Sequence, residues 1–167
     1  MKIALTGTPG TGKTTIAALL PYQVIDINSL VKEGMNLGID PDRGCLEADM
    51  DALADCLKEL DGEETVILEG HFSHHFADWA IVLRLEPSAL RSRLQARGYS
   101  ATKMQENLEA EALDVILVEA AERCQRVDEI DTTGKSPQQV AEIVAGIIER
   151  RLRLPAGQVD WLMEFFG

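Results

Sequence analysis

Short, continuous apolar runs alternate along this chain with stretches whose apolar residues recur every three or four positions. The runs Lys2–Thr6 (KIALT), Thr65–Leu68 (TVIL) and Trp79–Leu85 (WAIVLRL) are too short and too continuously apolar for amphipathic surface helices. They predict strands buried on both faces, as in a parallel sheet. Tyr22–Ile27 (YQVIDI) and Val127–Asp131 (VDEID) complete a set of about five.

Helical periodicity fills the gaps. It begins at Lys13, and again at Ser29 in a short stretch that stops near Gly34. From Glu47 to Leu60 it runs through Met50, Leu53, Ala54, Leu57 and Leu60, and Asp61 and Gly62 end it. Pro87 opens a further helix at its first turn, with Leu90 and Leu94 inward and Gly98 as the stop. One long helix is predicted from about Thr102 to Arg123, its core face drawn from Leu108, Leu113, Ile116, Leu117 and Ala120. Ser136 and Pro137 cap a last helix buried through Val140, Ile143, Val144, Ile147 and Ile148. Gly34–Gly44 reads as a loop, with Gly38, Asp40, Pro41 and Asp42 in quick succession. Strands alternating with helices imply right-handed crossovers, hence an α/β fold of three layers. The tail, Pro155–Gly167, carries Val159, Trp161, Leu162, Phe165 and Phe166, and reads as a segment that docks on the domain or on a partner.

Composition narrows the class. A chain of 167 residues, 46% apolar and 26% charged, can bury a core as one unit, residues 1–167, without staples. No apolar run reaches bilayer length and the start lacks a secretory layout, so the expectation is a cytoplasmic protein that does not engage membranes. Cys45, Cys56 and Cys124 are odd in number and widely spaced, which argues for reduced thiols. The net charge of -12 disfavours direct DNA binding, because nucleic-acid affinity is dominated by phosphate neutralisation. It does not exclude a nucleotide, which answers to the local field of amides, a lysine and magnesium.

The local field is supplied by Gly7–Thr14 (GTPGTGKT), which satisfies GxxxxGK[ST] between a predicted strand and a predicted helix. Gly7, Gly10 and Gly12 let consecutive N–H groups turn inward. Lys13 is placed for the β- and γ-phosphates, Thr14 for magnesium and Thr15 for the α-phosphate. Such a loop fixes the donor, Mg-ATP, and leaves the acceptor open. Glu69, Gly70 and His71 follow the TVIL strand, where open sheets bind ligands, and Glu69 is a candidate to hold magnesium through water. His71, His74 and His75 fall within five residues without matched acids or thiols, and read as polar loop caps rather than a metal site. Arg93 and Arg97 share a helical face; Arg97, at the junction with the following loop, is the better phosphate clamp, ahead of Arg91 and Arg93. Lys32 and Arg43 flank the glycine-rich segment, within reach of an acceptor phosphate.

GTPGTGKTT, the LEGH after the TVIL strand, RLQARGYSATKMQENLEAEALDVILVEA and the later TGK together resemble the adenylate kinase 6 family, its archaeal members especially, over nearly the whole chain to about Arg150. The resemblance implies an adenylate-kinase-like P-loop NTPase fold, a nucleoside-monophosphate-binding insert at about 26–49 and a short lid at about 97–107. It implies phosphorylation of AMP by ATP, with accompanying ATPase activity. By the same resemblance Gly10, Gly12, Lys13, Thr14 and Thr15 bind ATP, Arg97 reaches its phosphates, and Lys135 lies beside the adenine. Eukaryotic relatives also act in small-subunit ribosome maturation. The chain departs from the family in two places: Glu69 replaces an aspartate, and Lys32 stands where an arginine is expected.

The catalytic set expected is therefore Lys13, Arg97, Glu69 and His71, with Thr14 and Glu69 at the metal. An acceptor phosphate has its second pKa near 6, so its attacking oxygen needs no general base. Two other readings remain: a kinase of a small hydroxylated metabolite, with Asp26 as base, and an ATP-switched assembly factor whose partner is a basic ribosomal protein.

Overall fold

The computed structural model describes residues 1–41, 44–60, 62 and 64–166; Asp42, Arg43 and Asp61 lie outside them. The chain opens with β1 (Lys2–Thr6), α1 (Lys13–Ala17), β2 (Gln23–Asp26), α2 (Ile27–Lys32), β3 (Asn36–Ile39) and β4 (Leu46–Ala48). It continues with α3 (Met50–Lys58), β5 (Val66–Glu69), a short 3-10 helix (Ser73–Phe76), β6 (Trp79–Arg84) and α4 (Pro87–Ala96). α5 (Ala101–Ala112), α6 (Val115–Arg123), β7 (Arg126–Asp131), α7 (Pro137–Ile148) and α8 (Leu162–Phe166) complete it.

Five strands form one parallel sheet in the order β2-β5-β1-β6-β7, which puts β1 at the centre. Alternation of side chains then assigns the layers. Ile3 and Leu5 of β1, with Ile67, Ile81 and Leu83, pack on α1 and on the Val140, Val144 and Ile147 face of α7. Ala4, Ala80 and Val82 point to the opposite face and meet Leu117 and Ala120 of α6, while Val66 and Leu68 meet α2 and α3. This is the three-layer α/β arrangement the sequence predicts. Ser136 caps α7 in a full capping box with Gln139, as its position before Pro137 implies.

Three expectations need correction. α2 begins at Ile27, not Ser29, because the Asp26 carboxylate caps it: Oδ1 accepts from Asn28 N (2.9 Å) and Ser29 N (3.2 Å), and Oδ2 from the Ser29 hydroxyl (2.8 Å). Gly34–Gly44 is not all loop. It contains β3, which pairs antiparallel with β4, so α3 starts only at Met50. The turn is closed by Asp40 N to Cys45 O (2.9 Å) and Gly44 N to Asp40 O (2.8 Å), and Asp49 caps the helix that follows.

The long helix predicted over 102–123 is two. Arg84, 1% exposed at the end of β6, places Nε on Glu111 Oε1 (2.8 Å), Nη1 on Glu129 Oε1 (2.6 Å) and Nη2 on the Glu111 carbonyl (2.9 Å) and the Asp114 carboxylate. The Glu111 carbonyl is shared between the guanidinium and Asp114 N (3.3 Å), a tighter turn than the α-helical ladder makes. Asp114 responds by adopting φ 57°, a left-handed conformation that breaks the ladder. Leu113, assigned to the core by periodicity, is consequently 52% exposed.

The tail docks on the domain. Glu129 Oε2 accepts from Gly157 N and Gln158 N (2.8 Å each), Asp128 Oδ1 from Leu154 N (2.9 Å), and Phe165 packs on Leu85, Leu90, Leu94 and Leu108.

Removing the Arg84 charge leaves Glu111 and Glu129 buried without their partner. Arg84→Leu is expected to lower the unfolding free energy by about 3–5 kcal/mol, measured by urea titration; a loss below 1 kcal/mol would show that the cluster does not hold the fold.

Candidate active site

β1 delivers the chain into a turn that only glycine can make. A Cβ on Gly7, at φ +140°, would lie 2.4 Å from the Leu83 carbonyl oxygen, and one on Gly10, at φ +102°, 2.7 Å from Leu90. The loop is pinned from several sides. Thr11 bonds back to the Thr8 carbonyl (2.9 Å), the Thr8 hydroxyl donates to Glu111 Oε2 (2.5 Å), and Arg93 Nη1 donates to the Gly10 carbonyl (3.2 Å). α1 is only five residues long, so the backbone amides of the turn, more than a helix dipole, make the anion-seeking surface.

Lys13 is 7% exposed and its Nζ donates to the Gly7 (2.7 Å) and Thr8 (3.1 Å) carbonyls. Burial pulls its pKa down to about 8, against the opposing pull of Glu69 and Glu111 and with a smaller push from Arg97. Glu69 ends β5 at 2% exposure, in register with Asp26 of β2. Burial raises its carboxyl, Lys13 opposes that, Asp26 adds to it, and a hydrogen bond with Thr14 lowers it. A hydroxyl and a carboxylate in contact beside a lysine form an all-oxygen donor set that fits a hard cation such as Mg2+.

These groups floor a cavity of about 990 Å³. Gly10, Gly12, Lys13, Thr14 and Thr15 line one side. Asn28, Val31 and Lys32 of α2, with the β4 strand and Met50, form a second wall. Arg97, Tyr99, Lys103, Glu106 and Asn107, from the α4–α5 junction, form a third, and Glu69, His71 and Phe72 lie between. The fold therefore gathers into one space the expected catalytic set, Lys13, Arg97, Glu69 and His71, and the nucleotide-binding residues other than Lys135. Lys135 lies elsewhere: its Nζ donates to the Asp131 carbonyl (2.8 Å), and it lines a second cavity with Gln139 and Arg151. Arg43 lies outside the described residues. His71 is half-buried, and its pKa falls to about 4 through burial and then the charge of Lys13, so it is a neutral hydrogen-bonding group at neutral pH. His74 falls to about 4 as well, through burial, His75 and Arg123. Asp26 has both carboxylate oxygens engaged in capping α2.

Sequence reasoning missed three groups. Glu111 looks like an exposed helical charge and is a buried support of the loop; Arg93 lies against the loop rather than on a free surface; Lys103 adds a cation to the cavity. No local pattern marks the first, whereas the spacing of Arg93 and Arg97 does mark the second.

A family model described as an AAA domain matches residues 3–114. Over 96% of its length the chain is 48% identical to a protein named "Putative adenylate kinase" from Methanothermobacter thermautotrophicus, 99% of which is covered. It is 44% identical over 97% of its length to a protein of the same name from Methanosarcina barkeri, covering 98% of that relative. Among solved structures, a shikimate kinase from Acinetobacter baumannii in complex with shikimate superposes with a TM-score of 0.59 at 16% identity, covering 90% of this chain and 93% of that one. A thymidylate kinase from Candida albicans gives 0.55 at 15% identity, covering 90% and 91%. These two likenesses speak to fold alone. No helix among the described residues is long and apolar enough to cross a membrane.

The state of Lys13 supplies a measurable sign. At about pH 9 the buried amine is mostly neutral, and a polyphosphate beside it restores the ammonium, so nucleotide binding is expected to take up close to one proton. Near pH 7 the uptake shrinks toward zero. Calorimetry in buffers of different ionisation heat reads the proton count; no uptake at the alkaline pH would mean that Lys13 does not meet the phosphates.

Proposed function

The chain belongs to the archaeal-type adenylate kinase 6 family of P-loop proteins, and from that premise we propose that it is a nucleoside monophosphate kinase transferring the γ-phosphoryl group of ATP to AMP. The observation that carries the reading is the single cavity of about 990 Å³ shared by the phosphate loop, the α2–β4 wall and the α4–α5 junction. That volume stands at the upper end for small-ligand sites and leaves room for an acceptor beside the donor.

In this reading the amides of residues 10–15 cradle the ATP phosphates, and Lys13 leaves its two carbonyl partners to bridge the β- and γ-oxygens. Arg97 and Lys103 close from the opposite wall, and residues 97–107 act as the lid. Residues 26–49 form the acceptor insert, where Lys32 meets the AMP phosphate and Asn28 lies within the same wall. Thr14 and Glu69 would hold Mg2+, which when bound neutralises charge on the transferring phosphoryl group. Catalysis is then alignment and charge neutralisation, because the acceptor oxygen is already anionic at neutral pH. Asp26 is engaged as a helix cap, and His71, neutral at that pH, orients rather than relays. The capped Asp26 also weighs against a kinase of a hydroxylated metabolite, which needs a base. ATP hydrolysis follows when the lid stays open to water.

Incubation with Mg-ATP and a panel of monophosphates is expected to give ADP fastest with AMP. Lys13→Ala abolishes transfer, and Arg97→Ala lowers kcat by on the order of 10²-fold or more. Hydrolysis alone, with no phosphorylated acceptor from any monophosphate, would overturn the assignment.

A further inference from the structure

Outside the cavity the fold assembles three side chains of metal-ligand type that nucleotide chemistry leaves unused. His74 and His75 occupy consecutive positions of the 3-10 helix after β5, and Glu119 stands in the middle of α6. One ligand atom from each lies within 4.8 Å of the others. Three histidines in five residues looked like loop caps because no matched acid is evident near them in sequence; the acid that meets them comes from a helix more than forty residues on.

The hydrogens at His74 determine what can sit there. Thr6 Oγ1 lies 3.1 Å from the His71 carbonyl oxygen and 3.2 Å from His74 Nδ1. A carbonyl can only accept, so when the one hydroxyl hydrogen goes to His71, Nδ1 carries the hydrogen of its own contact with Thr6. The other ring nitrogen, Nε2, is then a lone pair, and it faces Glu119 Oε2 at 3.3 Å. The His74 side chain is 0% exposed, whereas that of Glu119 is 45% exposed, so the site is open to an ion from solvent on the Glu119 side. With the other tautomer Nε2–H donates to Glu119; with this one the two acceptors face each other and a positive centre between them is favourable.

We propose that His74 Nε2, His75 and Glu119 form a binding site for a divalent cation of the zinc class, with water as the fourth ligand. Two imidazoles and a carboxylate are a familiar donor set for such ions and a poor one for Mg2+. Bonds of about 2.0–2.1 Å to a tetrahedral ion set neighbouring ligand atoms about 3.3 Å apart, which is the His74–Glu119 separation. His75 is half-buried at the surface and closes the remaining gap by side-chain rotation. The Nδ1–H to Thr6 bond is the outer contact that a metal-bound imidazole uses to fix its tautomer. Arg123, one turn beyond Glu119, is solvent-exposed, which weakens its opposition to a cation. The ion would fasten the 3-10 helix to α6. Through Thr6 it would also hold the His71 carbonyl, at the edge of the nucleotide cavity.

Tag-free protein stripped with a chelator and titrated with Zn2+ is expected to bind one equivalent with micromolar or tighter affinity and to unfold at a higher temperature. Co2+ should give the visible d–d bands of a four-coordinate nitrogen and oxygen site. Glu119→Gln and His75→Gln, both at partly exposed positions, should each weaken uptake at least tenfold, while circular dichroism and ATP binding stay as in the parent. No stoichiometric uptake by the parent overturns the proposal, as does uptake that persists in both variants, which would put the ion elsewhere. Neither outcome bears on the kinase assignment, because no step of phosphoryl transfer uses these residues.

Discussion

One buried guanidinium ties together the parts of this protein that must hold still. Arg84 ends β6 inside the domain and bonds to Glu111, Asp114 and Glu129, so strand, helix junction and last strand meet at a single side chain. Glu111 hands the link on to the Thr8 hydroxyl of the phosphate loop, and Glu129 hands it on to the backbone of Gly157 and Gln158 in the tail. A charge out of water is tolerable only with all its donors matched, and matching them forces the helix break at Asp114. The loop that grips phosphate and the helix that forms the opposite wall of the cavity thus share one anchor.

Chemistry is built on that anchor from groups that are individually uncomfortable. Lys13 is buried enough to lose affinity for its proton, and Glu69 is buried enough to gain some. Each state is relieved by what the site is proposed to receive: phosphate charge for the amine, and a hard cation for the carboxylate and the Thr14 hydroxyl. A site that is strained when empty and satisfied when filled gains binding energy from the contrast. The same logic, on a smaller scale, applies to the proposed ion between His74 and Glu119, which face each other at 3.3 Å across the joint between the 3-10 helix and α6.

Much of this was legible in the sequence because the signals were local. Five apolar runs gave five strands; GTPGTGKT gave the loop, its glycines and its lysine; Ser136 and Pro137 gave the start of α7. Errors came where a distant partner overrode a local pattern. Periodicity carried one helix through Asp114, since nothing nearby announces that Arg84 will claim the Glu111 carbonyl. Gly34–Gly44 looked like loop because β3 is stable only against β4. Glu111 went unmarked, and the histidines read as caps, because their partners lie far along the chain.

The chain's own order of residues therefore determined the layer architecture, the phosphate loop and the family, all of which rest on contacts between near neighbours or on periodicity. Tertiary structure alone decided which acid meets which base, where the long helix breaks and which walls close around the cavity. It also decided that Lys135 stands apart from them. The reason is physical: a strand or a tight turn is specified by the steric and polar demands of a few consecutive residues. Pairing of buried charges depends on separations of a few ångströms between residues tens of positions apart, which only the packed sheet and its helices establish.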